Sequence, residues 1–364
     1  MLLVRNKTFL VLTILLIGAG FFMYAFSKDL MCVNIGLGEP NKSYYTNTSA
    51  WKDVVSKMRV ETLDALLRQF NGTTGFFIYN EHPDGTVANA NNDIRQLLAS
   101  RVVAEASVHD ESLRSMHEQN ISAIISSWYR EEDGVGYVYA DRKSKLGANA
   151  MLLRVLVASP LFYQYENEAQ MLVKGILVQA HEDGSFVPWF KEPSYTYDKD
   201  YLLTFYSGEA TLALFEYAEK TGDRKVFDAA KKSEDFYLGE YVERVNENYY
   251  PAYVPWHTLA FAKLYVATKD EKYAEAIFTL TDKLLEMQDT KKFVGRFYNE
   301  ATPEYGTPHA STDAVYTEGL ATVYEVAHLV GKTDKEVTYK DASVRAVYNL
   351  ETLQFNPSQF SILD

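Results

Sequence analysis

The chain has 364 residues, one cysteine, and 36 basic against 49 acidic residues, a net charge of −13. That balance excludes nucleic acid as a partner, because its phosphates need clustered Lys and Arg. A lone Cys32 excludes an intrachain disulfide and a thiolate metal cluster, and seven scattered histidines supply no pair at ligand spacing, so neither metal nor cofactor is expected.

In chain order, the first element is an uncharged apolar run from Thr8 to Phe26, preceded by Arg5 and Lys7 and closed by Lys28 and Asp29. At the helical rise it reaches about 28 Å, close to the hydrocarbon thickness of a bilayer. The positive flank predicts a cytoplasmic N-terminus with the remainder exported, periplasmic or extracellular. Two readings stay open: an uncleaved signal anchor over residues 1–27, or a signal cleaved near Ala25-Phe26-Ser27 that leaves a secreted protein. Residues 28–49 read as a linker and 50–364 as one domain, long enough to hold itself together by core burial alone.

Within that domain the sequence repeats itself. Glu209-Ala210-Thr211-Leu212-Ala213 matches Glu318-Gly319-Leu320-Ala321-Thr322 at an offset of 109, which also sets Gly222 opposite Gly331. A second register places Thr221-Gly222-Asp223 on Thr268-Lys269-Asp270. Each copy reads as an apolar first helix, a short polar break, and an amphipathic second helix opening on acidic residues. First helices are expected to start near residues 92, 147, 206, 255 and 315, after a leading helix over Trp51–Phe70. Glycine-aromatic segments separate the copies: Gly75-Phe76-Phe77, Gly136-Tyr137, Gly184-Ser185-Phe186 and Gly295-Arg296-Phe297. With Asp133-Gly134 and Asp183-Gly184 as turn formers, they read as short hairpins. The expected fold is all-α: an (α/α) toroid of about five to six helical hairpins with short β-hairpins in the loops, preceded by one transmembrane helix.

Four motifs carry a resemblance: Tyr206-Ser207-Gly208-Glu209-Ala210, Thr221-Gly222-Asp223, Pro255-Trp256-His257, and Thr312-Asp313-Ala314-Val315-Tyr316-Thr317-Glu318-Gly319. Over residues 73–330 the chain resembles bacterial α/α-toroid proteins of the six-hairpin glycosidase type, and the toroids of glucuronyl epimerases and polysaccharide lyases. The resemblance implies a reactive cleft at the end of the barrel where first helices begin. Helix N-termini there gather unpaired N–H groups and positive dipole ends.

The same helix starts collect the candidate residues: Asp93 and Arg95, Asn149, Tyr206 and Glu209, Trp256 and His257, then Asp313, Tyr316 and Glu318. Glu209 and Glu318, at matching places in the repeat, are the expected carboxylates of an acid–base pair, with Asp313 as substitute. Their structural alternative is to satisfy first-turn N–H groups or to pair with Arg95. Asp313 also reads as the N-cap of a helix beginning at Ala314. Tyr206 or His257 would carry the proton in a lyase or epimerase. For substrate binding, Arg95 is expected to grip a uronate carboxylate and Trp189, Trp256 and Tyr206 to position sugar rings, with Asn149 and Tyr316 beside them. No Gly-x-Ser-x-Gly elbow, phosphate loop or His-Glu-x-x-His motif points elsewhere. The expectation is a cell-envelope, carbohydrate-active enzyme, glycosidase-like or a uronate lyase or epimerase. Its rival is a non-catalytic, membrane-tethered module that binds glycan or acts as a scaffold.

Overall fold

The computed structural model describes residues 48–82 and 85–354. The expected anchor, Cys32, and residues 28–47 of the expected linker lie outside the described residues. Among the described residues no helix is long and apolar enough to cross a membrane.

Eleven α-helices are described: α1 (Thr48–Arg68), α2 (Asp93–Ser107), α3 (Arg114–Trp128), α4 (Leu146–Ala158), α5 (Glu166–Leu177), α6 (Lys199–Thr221), α7 (Arg224–Tyr237), α8 (Tyr253–Thr268), α9 (Glu271–Leu285), α10 (Ala310–Val330) and α11 (Thr333–Thr352). After the leading α1 they form the expected pairs, α2/α3 through α10/α11. First helices are buried nearly all round; α4 has eleven consecutive buried residues from Leu146 to Leu156. Second helices bury one stripe, as in α7, where Val226, Ala230, Ser233, Glu234 and Tyr237 face inward. The repeat in sequence is therefore a repeat in burial.

Contacts divide the described chain into two compact units. One comprises residues 68–283, the other residues 48–67 with 284–354. In the larger unit the first helices of successive pairs pack on one another, α2 on α4, α4 on α6 and α6 on α8. In the smaller unit α10 packs on α11, and Val55 and Met58 of α1 share a core with Ala314, Val347 and Leu350.

Pair boundaries follow local chemistry. Gly222 ends α6 and Gly331 ends α10, both left-handed, and Lys269 takes the same conformation at φ 59° where the repeat lacks its glycine. Asp223 then accepts the N–H groups of Lys225 (2.9 Å) and Val226 (3.2 Å) to start α7. One boundary departs from expectation: α6 begins at Lys199, not near 206, because Asp198 caps it by accepting the Tyr201 N–H at 3.0 Å. A second departure is α10, which begins at Ala310.

The hairpins are real and share one design. Strands β1 (Phe70–Asn71) and β2 (Phe76–Phe77), and β3 (Tyr129–Glu132) and β4 (Val135–Val138), form antiparallel ladders. Isolated bridges Ala180↔Phe186 and Gln288↔Phe297 close the other two. In each, the glycine lies flat on the second helix of the pair that follows. A Cβ would sit 2.6 Å from Ala123 Cβ at Gly75, 2.8 Å from Met171 Cβ at Gly136 and 2.7 Å from the Lys232 carbonyl at Gly184, and at Gly295 it would overlap the Arg345 carbonyl. The residue two beyond each glycine then gives its N–H to a buried side chain. Phe77 donates to Gln96 (2.9 Å), Val138 to Asn149 (2.7 Å), Phe186 to the Tyr237 hydroxyl (3.1 Å) and Phe297 to Asp313 (3.2 Å). Gln96, Asn149 and Asp313 are each the fourth residue of their first helix. The third socket uses Tyr237 of α7 instead, because α6 starts early and its corresponding turn is mid-helix.

Candidate active site

In the larger unit the starts of α2 and α4 and the middle of α6 bring together Asp93, Arg95, Lys145, Gly147, Tyr206 and Glu209. Asn92 caps α2 by accepting the Arg95 N–H at 3.0 Å, which places Asp93 and Arg95 in its first turn. Lys145 ends strand β5 (Ser144–Lys145), held against β6 (Trp189–Lys191) in register with Trp189, and precedes α4 directly. Lys145 and Asp93 are buried and form an ion pair. Tyr206 and Glu209 lie one turn apart on α6. Gly147 makes their position possible: a Cβ there would overlap Glu209 Oε2 and lie 2.5 Å from Tyr206 Cδ1.

Glu209 is 4% exposed, and its Oε2 has no hydrogen-bond partner. Burial pushes its carboxyl up to about 8, against the pull of Arg95 and Lys145 and with the help of Asp93. At neutral pH the group is mainly a carboxylic acid. Burial raises the Tyr206 phenol too, helped by Glu209 and Asp93, so it stays protonated. Over this cluster lies an aromatic segment: Trp189 packs edge-on against Tyr197 at 5.4 Å, while Tyr195 (52%) and Tyr201 (46%) stay exposed. Trp189 is buried, with its Nε1 unpartnered, and is therefore part of the wall.

Other expected residues go elsewhere. Asn149 is committed to structure: besides holding Val138, its amide donates to Gln179 at 3.0 Å. His257 is sealed, with Nε2 3.0 Å from Ser207 Oγ and Nδ1 2.8 Å from Glu234 Oε1, among Tyr237, Tyr241 and Phe261. The sequence of partners is Ser–His–Glu, yet Ser207 donates to the Leu203 carbonyl at 2.6 Å and none of the three side chains is exposed. They form a buried lock between α6, α7 and α8. Trp256 is buried, with the Arg154 guanidinium 5.7 Å above its ring and its Cβ where a side chain on Gly208 would fall.

Asp313, Tyr316 and Glu318 belong to the smaller unit, and all are buried on α10. Asp313 does not cap a helix, since α10 already runs from Ala310. Its Oδ1 holds the Phe297 N–H and its Oδ2 accepts from Asn349 at 2.8 Å, while burial lifts its carboxyl to about 7. Tyr316 packs edge-on against Phe297 at 5.2 Å. A cavity of about 260 Å³ lies in this unit under the fourth hairpin, lined by residues including Gln288, Asp289, Arg296 and Tyr298.

Lys145, Ser207 and Glu234 were not singled out from sequence. Glu234 had a signal, an acid on the apolar stripe of α7, whereas Lys145 had none, since a strand pairing delivers it. Among the described residues no group of His, Cys, Asp and Glu could hold a metal ion.

No protein-family model matches this sequence, and no curated protein matches it. Solved structures do resemble it. One is a protein from Listeria innocua, at 12% identity and TM-score 0.58, covering 89% of this chain and 86% of that one. Another is a family 76 glycoside hydrolase α-mannanase from Bacteroides thetaiotaomicron, at 13% and 0.55, covering 84% and 85%. A third is cellobiose 2-epimerase from Spirochaeta thermophila, at 11% and 0.56, covering 88% and 86%. These likenesses show the fold alone, an α/α toroid.

Proposed function

We propose that this protein is a carbohydrate-active enzyme whose general acid is Glu209. The observation that carries the reading is a buried carboxylic acid with an unpartnered Oε2, held protonated at neutral pH where the starts of α2 and α4 meet the middle of α6. Structural neighbours that hydrolyse or epimerise sugars support it. In hydrolysis the Glu209 proton passes to the glycosidic oxygen as its bond to the anomeric carbon breaks, while water adds to the anomeric carbon and gives up its proton to a second carboxylate. The second carboxylate is Asp93 of the same cluster, held by Lys145. The sealed His257 leaves Tyr206 as the proton carrier for an epimerase or lyase variant. The N-terminal apolar run supports work outside the cytoplasm, in the cell envelope.

The test is incubation of the full chain, wild type beside Glu209→Gln, with a polysaccharide panel. New reducing ends would indicate hydrolysis, unsaturated ends a lyase, and altered sugar composition an epimerase. Turnover by the wild type alone is the expected result. Glycan retention without turnover by either protein would assign a binding module instead, and neither turnover nor retention would end the carbohydrate reading.

A further inference from the structure

The charges at the Glu209 cluster do not balance. Asp93 is taken by Lys145. Arg95 acts on the charge of Glu209 without pairing with it, and among the described residues its guanidinium makes no ion pair or hydrogen bond. Two cations therefore face one ion-paired carboxylate and one unpartnered acid, in a chain whose net charge is −13. A partly buried guanidinium in a first helical turn adds to the positive dipole end, which Asp93 and the Asn92 cap meet while the guanidinium itself stays without a carboxylate. Two polar atoms lack hydrogen-bond partners on side chains that are more than nine-tenths buried: Glu209 Oε2, within the field of Arg95, and Nε1 of Trp189, the strand partner of Lys145. Nearby, Lys143 lies 5.5 Å over the exposed Tyr195 ring.

We propose that the sugar bound here carries a carboxylate and that Arg95 anchors it, so that the substrate is a uronate-containing glycan and not a neutral one. This rests on reading the cluster as a carbohydrate site. The planar fork of a guanidinium matches a carboxylate with two parallel hydrogen bonds. Tyr195 and Tyr201 offer ring faces for the pyranose. An anion on Arg95 also cancels the field that lowers the Glu209 carboxyl, so binding holds the acid in its protonated form.

The experiment is calorimetric titration of the full chain carrying Glu209→Gln, which binds without turnover. The probes are oligomers of galacturonate, mannuronate and glucuronate, each beside its carboxyl-reduced counterpart. At least one uronide is expected to bind roughly tenfold or more tightly than its reduced form. Adding Arg95→Gln should abolish that preference, and Arg95→Lys should restore part of it; circular dichroism and thermal melts establish that each variant is folded. The comparison of acid with reduced sugar needs no change at Arg95, so it stands even if a variant misfolds. Equal binding of acid and reduced forms, a preference that survives Arg95→Gln, or equally tight Arg95-dependent binding of a sulfated neutral oligosaccharide would overturn the inference and leave the carbohydrate reading intact. Failure of every glycan, neutral or acidic, would overturn both.

Discussion

Two carboxyl groups on α6, buried Glu209 and largely buried Glu216, sit two turns apart on one helix face and meet opposite fates. Residues seven apart on α4 face them: Gly147 meets Glu209, and Arg154 meets Glu216. Arg154 gives Glu216 two parallel bonds, Nε to Oε2 and Nη2 to Oε1, each 2.9 Å, and Arg101 adds a third at 3.2 Å. That geometry belongs to a carboxylate, so Glu216 is assigned as ionised. Burial raises its carboxyl, while Arg101 and Lys263 oppose the rise. Glu209 receives a glycine in place of an arginine, and its Oε2 is left unpartnered. On the role proposed for Glu209, burial alone does not separate a structural acid from a chemical one; the residue on the facing helix does.

The strongest way to break this contrast is Glu209→Gln. A lost general acid lowers kcat by roughly 10²–10⁴-fold, while the isosteric amide leaves the thermal melt unchanged or higher; kcat and melting temperature measured together decide it. At the other level, Arg154→Met removes one partner of a buried ion pair and should cost about 3–5 kcal/mol of stability, read by chemical denaturation. An intact melt in that variant would mean that Glu216 is held otherwise. Gly147→Ala tests the pocket between helices. The new methyl collides with Glu209 and Tyr206, and overpacking of this kind costs about 1–3 kcal/mol, with activity falling alongside.

The smallest effect, read per pH unit, is the pH dependence. In the folded state Glu209 keeps its proton up to about 8, whereas the unfolded chain releases it near 4.5. Unfolding therefore releases a proton between those values. The group's contribution is full below about 4.5 and is lost as pH rises to about 8, with a slope of at most about 1.4 kcal/mol per pH unit. Denaturation curves at stepped pH should show this decline in the wild type and a flatter one in Glu209→Gln.

Much of the fold was legible because it is periodic. The Thr-Gly-Asp breaks, the apolar first helices and the glycine-aromatic segments all write the same unit repeatedly. The start of α6 was missed because Asp198 outweighs the later Tyr206-Ser207-Gly208 signal by capping a full turn and more ahead of it. The site was legible in part. Arg95 lies at a first-helix start as read, whereas Tyr206 and Glu209 meet it from the middle of α6, where Gly147 of α4 leaves them room. His257 and Trp256 also lie near a first-helix start but point into a core that their own neighbours fill. Lys145 was invisible, since its place depends on a strand pairing with Trp189, far away in sequence.

The four hairpin sockets have a consequence for how such a protein can change. Each loop is seated by a bare backbone on a helix and by one amide proton in a side-chain acceptor, and the acceptor is an amide, an amide, a phenol or a carboxyl. The footing is thus indifferent to what the loop carries above it. Spans of different length already stand on it, from 71–76 and 181–185 to 130–137 and 289–296. Lengthening a tip adds little closure entropy. New rim residues can therefore be inserted or exchanged at any of these four stations with the helices beneath undisturbed, which makes the hairpins the natural place to graft a new specificity.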